Sequence, residues 1–191
     1  MAEDHVEYFK PTSGQIIGSV GIIFGLAVIV VTLFDGMHGS DPAVILATSF
    51  LGILVWAAML RPRVGVSQEM LVMRNMVTEV RIPLAAIEEM ALRQVLAVRV
   101  GDRRFESPAI GRSLRSIVKH GNAPPDPVAN YPDFVEERIR ARMEGARERS
   151  GIAMKSDDQV ALGSDVRLAW AWPELVGLVV TGLGFVVALL L

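Results

Sequence analysis

Three long stretches without a charged residue constrain this chain more than any other feature of its sequence. Residues 16–34, 43–60 and 175–191 contain no Asp, Glu, Lys, Arg or His. A helix needs about 20 apolar residues to cross the roughly 30 Å hydrocarbon core of a bilayer, and each stretch approaches that length. A soluble protein of 191 residues has too little core to bury three uniformly apolar helices. The sequence therefore predicts three transmembrane helices.

The first stretch is expected to be an uncleaved membrane anchor rather than a signal peptide. The residues before it include Glu3, Asp4 and Glu7 against a single Lys10, whereas the first region of a signal peptide is basic. No pattern of small residues typical of a cleavage site follows it. We therefore expect it to form a transmembrane hairpin, residues 16–60, with the second stretch.

The distribution of Lys and Arg predicts how the helices are oriented. Lys10 is the only one of the 19 basic residues outside 61–167, and the connection 35–42 contains Asp but no Lys or Arg. Because Lys and Arg are enriched in cytoplasmic loops, we expect a multi-pass protein of the inner (plasma) membrane. The tail 1–15 and residues 61–174 are then cytoplasmic, and 35–42 lie outside.

Two tryptophans mark the predicted start of the third membrane helix, residues 175–191. Trp170 and Trp172 lie just before Pro173, and Trp is enriched at the boundary between lipid and water. We therefore expect both to be interface anchors. None of the three apolar stretches contains the ionisable residue that transporters and channels usually carry inside the membrane. The sequence therefore does not indicate transport.

Small residues recur on one face of the first and third predicted membrane helices. Their spacing of i, i+4, i+7 and i+11 places them on a single helical face, and small faces let helices approach closely in lipid. We expect helices one and three to pack through these faces, within the chain or against another subunit. The alternative is that Gly is simply common in membrane helices. The residues are Gly14, Gly18, Gly21, Gly25, Gly177, Thr181, Gly184 and Ala188.

The segment after the hairpin is predicted to be a strand-rich domain, residues 61–120. Short runs of alternating apolar and polar residues, separated by turn residues, are typical of antiparallel strands. We expect strands at 64–67, 71–75, 78–83, 87–93, 96–100 and 103–106, and a short helix at 109–120. A Pro-rich linker (121–131), a charged helix (132–151) and an irregular return segment (152–174) complete the predicted organisation.

The charged helix has a thin apolar stripe, formed by Val135, Ile139, Met143 and Ala146. We expect it to begin after Asn130 and to end at Gly151, residues that are typical of helix caps. Two interpretations stay open at this point. The helix either lies on the sheet with its charges in solvent, or it docks a partner or an anionic membrane surface.

The strand segments resemble the bacterial PH-like domain found in small membrane proteins. The resemblance rests on Arg61-Pro-Arg-Val-Gly-Val, Leu71-Val-Met-Arg-Asn, Val80-Arg-Ile-Pro, Ile87-Glu-Glu-Met and Leu96-Ala-Val-Arg-Val-Gly-Asp-Arg-Arg. It implies a curved antiparallel sheet with a helix, placed after two N-terminal membrane helices and often followed by a third. The implied fold class is therefore a membrane α-helical part plus an α+β, PH-like antiparallel sheet domain on the cytoplasmic side.

One loop departs from the pattern of lipid-binding PH domains. Those domains carry basic residues between the first two strands, whereas the corresponding loop here is Ser67-Gln68-Glu69-Met70, which is acidic. This departure argues against inositol-phosphate binding through that loop.

The remaining candidates for chemistry do not form convergent sets. The predicted topology separates His38 from the other two histidines, adjacent glutamates in a strand point to opposite faces, and an aspartate pair lacks a third ligand. There is no Cys, no Walker, GxSxG or HExxH motif, and a net charge of −2 does not indicate nucleic-acid binding. We expect no enzyme activity, cofactor, metal or nucleic acid. The residues are His5, His38, His120, Glu88, Glu89, Asp157 and Asp158.

Two functional hypotheses remain. In the first, the chain is a non-enzymatic accessory subunit whose cytoplasmic domain binds another protein, or a further copy of itself, within a membrane complex. In the second, the domain senses anionic lipid through a group of arginines that flank the membrane and the predicted strands. Ordinary flanking charge is the alternative explanation of this group, which comprises Arg61, Arg63, Arg103, Arg104, Arg112 and Arg115.

Overall fold

The computed structural model describes residues 5–11, 14–35, 41–112 and 130–190. The chain divides into two compact units. A helical unit comprises Gly14–Arg61 and Trp170–Leu191, and a sheet unit comprises Met1–Ser13 and Pro62–Ala169. The expected combination of long apolar helices with antiparallel sheets and further helices is confirmed.

The α-helices of the described residues follow one another in chain order. They are α1 (Gln15–Phe34), α2 (Asp41–Val55), α3 (Tyr131–Ser150), α4 (Asp157–Ala161) and α5 (Trp172–Leu190). A π-helical turn, Trp56–Leu60, extends α2. The three apolar helices Gln15–Phe34, Pro42–Leu60 and Trp172–Leu190 have mean hydropathies of 2.7, 2.3 and 2.1, and are long and apolar enough to cross a membrane.

The strands form two antiparallel sheets. In chain order they are β1 (Glu7–Phe9), β2 (Arg63–Val66), β3 (Met70–Arg74), β4 (Thr78–Pro83), β5 (Glu89–Leu92), β6 (Leu96–Val100), β7 (Arg103–Ser107) and β8 (Arg167–Trp170). One sheet has the order β1-β2-β3-β4-β8, and the other has the order β5-β6-β7. All six strands expected between 64 and 106 are present.

The core of the sheet unit lies between these strands and α3. Alternate residues of one strand, such as Leu71 and Met73 of β3, belong to this core, because successive side chains in a strand point to opposite faces. The stripe predicted on the charged helix is buried in the same core, at Val135 and Ile139. The helix therefore lies on the sheet. It begins after Asn130 and ends at Gly151, which has the positive φ of 65° that favours glycine.

Two strands were missed by the sequence analysis. β1 lies within the segment expected to be a tail, and it pairs with β2 so that Phe9 opposes Val64. β8 lies within the segment expected to be irregular, and it pairs at the edge beside β4. Both are short, and all four residues of β8 are exposed, so neither shows the alternating pattern on which strand prediction depends. The sheet unit is therefore wider than residues 61–120.

The expected irregular return segment also contains α4 and a 3₁₀ turn, Leu162–Asp165. A fully buried side chain, Gln159, holds α4 to the core: its Nε2 donates to the carbonyls of Ala85 and Ile87, at 2.9 and 3.1 Å. A single buried amide in a polar stretch produces no periodic pattern in the sequence, so α4 was not predicted. A helix was expected at 109–120. Its first residues, Ala109 and Ile110, are buried in a turn, and residues 113–120 lie outside the described residues.

Candidate functional site

A groove of about 430 Å³ lies between β5 and α3 in the sheet unit. Its strand side comprises Glu88 to Ala91, its helix side is formed by residues of the second half of α3, and Met154 closes one end. Pockets of a few hundred Å³ are the usual size for ligand sites. The lining residues are Glu88, Glu89, Met90, Ala91, Arg140, Met143, Glu144, Arg147 and Met154.

The strand that borders the groove is an edge strand. β5 pairs with β6 on one side, with Met90 opposite Val98 and Ala91 opposite Ala97, and it is the terminal strand of its sheet. An edge strand presents backbone N–H and C=O groups on its open side, where another extended segment can pair with them. The groove therefore combines a strand edge that no described strand pairs with and an adjacent helical wall.

Three methionines provide the apolar part of the groove. Met143 is buried in the core of the sheet unit, Met90 is partly buried against that core, and Met154 is 59% exposed. Methionine is flexible and polarisable, so a surface built from it adapts to different apolar side chains. Of the three, only Met143 belongs to the helical stripe predicted from the sequence. Met90 and Met154 carry no periodic signal, because only the folded chain brings them to Met143.

Acidic side chains line the rim of the groove. Nη2 of Arg99 lies 2.6 Å from Oε1 of Glu89 and 3.7 Å from Oε2 of Glu88, so one cation faces two carboxylates. Glu144 is an exposed third carboxylate on α3. The expectation that Glu88 and Glu89 point to opposite faces of one strand is wrong, because Glu88 precedes β5 and binds the backbone N–H of Gly101 at 2.9 Å.

The two arginines of the groove are held by different contacts. Nη2 of Arg140 lies 3.0 Å from Oε1 of Glu136, one turn earlier on α3. Nη2 of Arg147 donates to the backbone carbonyl of Ile87 at 2.7 Å, just before β5 begins. Arg147 thus fixes the helical wall to the strand through a hydrogen bond from a charged donor, which is stronger than one between neutral groups.

A second cavity, of about 610 Å³, lies beside the five-stranded sheet. Tyr8, Met70 and Val72 form part of its apolar lining, and Arg81 and Arg167 part of its polar lining. Arg81 is engaged by Glu79, at 2.9 Å. Its lining comes from the inner strands β3 and β4 and from the terminal strands β1, through Tyr8, and β8, through Arg167.

The arginines expected to contact lipid headgroups lie on several different elements where the structure describes them. Arg61 belongs to the helical unit and pairs with Glu174 at 2.7 Å. Arg63 is exposed on β2, whereas Arg103 and Arg104 lie on β7 in the other sheet. Arg103 lies over the ring of Phe105, Arg104 pairs with Glu106, and Arg112 pairs with Asp133 at 2.6 Å and with Glu136 at 3.1 Å. Arg115 lies outside the described residues.

The small-residue faces of α1 and α5 both lie against α2. A methyl group added to Gly18 would overlap Leu60, and one added to Gly25 would lie 3.4 Å from Thr48. On α5, methyl groups added to Gly177 and Gly184 would each lie 3.2 Å from a side chain of α2, those of Ile53 and Leu46. The partner of both faces within the chain is therefore the middle helix.

The other small residues fit the same arrangement. Added methyl groups on Gly14 and Gly21 would approach Met59 and Val55 at 3.5 and 3.7 Å. The hydroxyl of Thr181 donates to the carbonyl of Gly177 at 2.7 Å, and Ala188 is half-buried.

The remaining predicted residues are dispersed. Trp170, the last residue of β8, and Trp172, the first residue of α5, are 54% and 67% exposed. His5 is exposed, and His38 and His120 lie outside the described residues. Asp157 and Asp158 are exposed in the first turn of α4. Among the residues that the structure describes, no group of three His, Asp or Glu is arranged to hold a metal ion.

Two pKa shifts occur in the sheet unit. Burial alone would raise the pKa of Glu79, but hydrogen bonds from Arg81 and Arg74 outweigh burial and lower it below the ordinary value of 4.5. Burial raises the pKa of Tyr131, whose phenolic oxygen accepts a hydrogen bond from the backbone N–H of Lys10 at 2.7 Å. Neither group lines the groove.

Comparison of the chain with protein-family models, with curated proteins and with solved structures finds no match. The groove and the three apolar helices are therefore the features that bear on function.

Proposed function

We propose that this chain is a non-enzymatic integral membrane protein whose sheet unit is a PH-like domain that binds another protein on the cytoplasmic side. The observation that carries the proposal is the groove between β5 and α3, where the edge of β5, methionine side chains and carboxylates meet. This combination fits a protein segment better than a small charged ligand, because the strand side offers main-chain groups and the apolar side chains of Met90 and Ala91 beside two carboxylates.

The order of elements supports the PH-like assignment. Strands β1 to β4 make one antiparallel sheet, β5 to β7 make a second, and the long helix α3 packs against the common core. A curved antiparallel sheet closed by a helix is what the sequence resemblance implied. The membrane helices enter this order between β1 and β2, and again after β8.

The alternative of an anionic-lipid sensor is less well supported. Three of the five described arginines in the expected group, Arg61, Arg104 and Arg112, are paired with carboxylates. The loop between β2 and β3 is closed on itself, since the hydroxyl of Ser67 accepts hydrogen bonds from the backbone N–H groups of Glu69 and Met70. The loop itself contributes no basic side chain to a headgroup site, and the guanidinium of Arg149 that contacts it donates to the carbonyl of Gln68.

The membrane topology is tested by labelling single cysteines, because the natural chain contains none. Gly39→Cys should react with a membrane-impermeant maleimide in intact cells, whereas Glu137→Cys on α3 should react only after the cells are opened. Labelling of Glu137→Cys in intact cells would overturn the cytoplasmic assignment.

Protein binding is tested by tagging the full chain and purifying it from its native membrane in a mild detergent. We expect a stoichiometric second protein that survives a salt wash. Recovery of the chain alone, together with binding of the purified chain to vesicles only when they contain anionic lipid, would favour the lipid-sensor alternative.

A further inference from the structure

We propose that the partner binds as an extended segment, which adds to β5 as a fourth strand of the three-stranded sheet and places an apolar side chain against the groove methionines, next to a basic residue. This inference rests on the proposed function and deepens it. It assigns the class of partner, an extended basic and apolar peptide segment, and the edge to which that segment binds.

The four edges of the two sheets are not equivalent. At β1, Arg138 on α3 pairs with Glu7 at 3.2 Å, and the N–H of Lys10 is bound by Tyr131. At β7, the carbonyl of Glu106 accepts a hydrogen bond from Asn75 at 2.8 Å. β8 is exposed, and a single residue of this strand, Arg167, lines one of the two cavities described above. Among the edges that the described residues form, β5 is the one whose consecutive residues, Glu89 to Ala91, line a groove.

The helix α3, which forms the opposite wall of the groove, leaves the open side of β5 accessible. Strands in a sheet lie about 4.8 Å apart, so an added strand needs a gap between β5 and its neighbour. Arg147 anchors α3 to the carbonyl of Ile87, before β5 starts, and the helix contacts the core through Met143 and Ala146. The groove remains between these contacts and residues Glu89 to Ala91 of the strand. The helix thus flanks the edge without pairing with it.

The charges of the rim select the occupant. Glu88 and Glu89 share one cation, Arg99, and Arg140 is already paired with Glu136. Exposed Glu144 stands on the opposite wall. Counting Arg147 as well, four carboxylates face three guanidinium groups around the groove, and Glu144 makes no ion pair among the described residues. This excess of one carboxylate favours a segment with Lys or Arg beside its apolar residue.

The adaptable methionines point to a strand of varied apolar sequence. Main-chain hydrogen bonds to an edge strand supply affinity independently of sequence, whereas side-chain pockets supply specificity. Met154, which is 59% exposed, covers one end of the groove. It can move aside for a large side chain or close over a small one.

The test uses the full chain in detergent micelles and a library of random nine-residue peptides. We expect selection to enrich peptides with an apolar residue next to Lys or Arg. Bound peptides should slow amide hydrogen exchange at Glu89–Leu92 more than elsewhere, because new cross-strand hydrogen bonds protect those amides.

Two matched variants locate the binding. Glu144→Arg reverses a charge on the groove rim, and Glu148→Arg makes the same change one turn away on α3, at an exposed position outside the groove. We expect Glu144→Arg to weaken peptide binding at least tenfold and Glu148→Arg to leave it within twofold. Met154→Glu should also weaken binding without changing the thermal midpoint.

Several results would overturn the inference. They are a library that yields no binder, binders whose protection maps away from β5, equal effects of the two charge reversals, or a chain that dimerises through its own β5 edge. A natural partner that co-purifies equally with wild type and with Glu144→Arg would refute the groove as its site while leaving the proposed protein-binding function intact.

Discussion

Nε of Arg61 lies 2.7 Å from Oε1 of Glu174, and this pair joins the residue after the second apolar helix to the first turn of α5. The two side chains are only 12% and 10% exposed. Neither residue falls within an uncharged stretch of the sequence, yet their contact fixes where the second and third helices meet.

Replacing one member of this pair should destabilise the protein more than replacing both. Arg61→Gln leaves the Glu174 carboxylate buried without its ionic partner, for which about 3 kcal/mol is typical, and Glu174→Gln removes one acceptor of the Arg61 guanidinium. The double variant removes both charges and should be destabilised less than the sum of the single variants. Thermal unfolding in detergent measures all four species, and strict additivity would show that the pair makes no coupled contribution.

Gly18 is expected to be intolerant of even one methyl group. In Gly18→Ala the new Cβ would overlap Leu60 and lie 3.0 Å from Cβ of Met59, and overpacking of this kind costs about 1–3 kcal/mol. The matched control is Gly52→Ala on α2, where an added methyl group meets nothing within 4 Å. Thermal midpoints in detergent should fall for Gly18→Ala and stay level or rise for Gly52→Ala.

Gln159 should be irreplaceable by its nearest isostere. Gln159→Glu exchanges the donor that faces the carbonyls of Ala85 and Ile87 for a second acceptor oxygen. An unsatisfied buried polar group costs about 1–3 kcal/mol, and a charged one more. Chemical unfolding should show a large loss for Gln159→Glu and almost none for Asp158→Asn, an exposed neighbour. Equal stability of the two variants would contradict the assigned hydrogen bonds.

The stability of the sheet unit should fall in acid because of Glu79. Its pKa is lowered in the folded state, from an ordinary value of 4.5, so its contribution is fully present above 4.5 and is lost as the pH falls through the lowered pKa. Glu79→Gln should flatten this part of the profile. The measurement is thermal unfolding of wild type and variant on both sides of pH 4.5, with Glu137→Gln, an exposed substitution, as the control.

Much of the fold follows from local patterns. Apolar length alone predicted the three long helices, and alternation predicted β2 to β7, because both signals are repeated within each element. Asn130 and Gly151 indicated the ends of α3 in the same way. These features require no knowledge of distant residues.

The candidate site did not follow from the sequence, because it depends on contacts between segments far apart in the chain. Met90, Met143 and Met154 come from a strand, a helix and a loop. Arg112 seemed available to lipid, but Asp133 and Glu136 on α3 pair with it in the folded chain. A one-dimensional pattern contains the charge of such a residue but not its partner.

The pairing of Phe9 with Val64 has a consequence for how the protein is made. The ribosome releases β1 before the two helices that follow it and β2 only after them, so this sheet stays incomplete until the entire hairpin has been translated. If the polypeptide were cut inside the hairpin, one piece would contain β1 and the other β2, and the two strands could still pair. Co-expressed halves divided between α1 and α2 are thus natural candidates for reassembly without a covalent link.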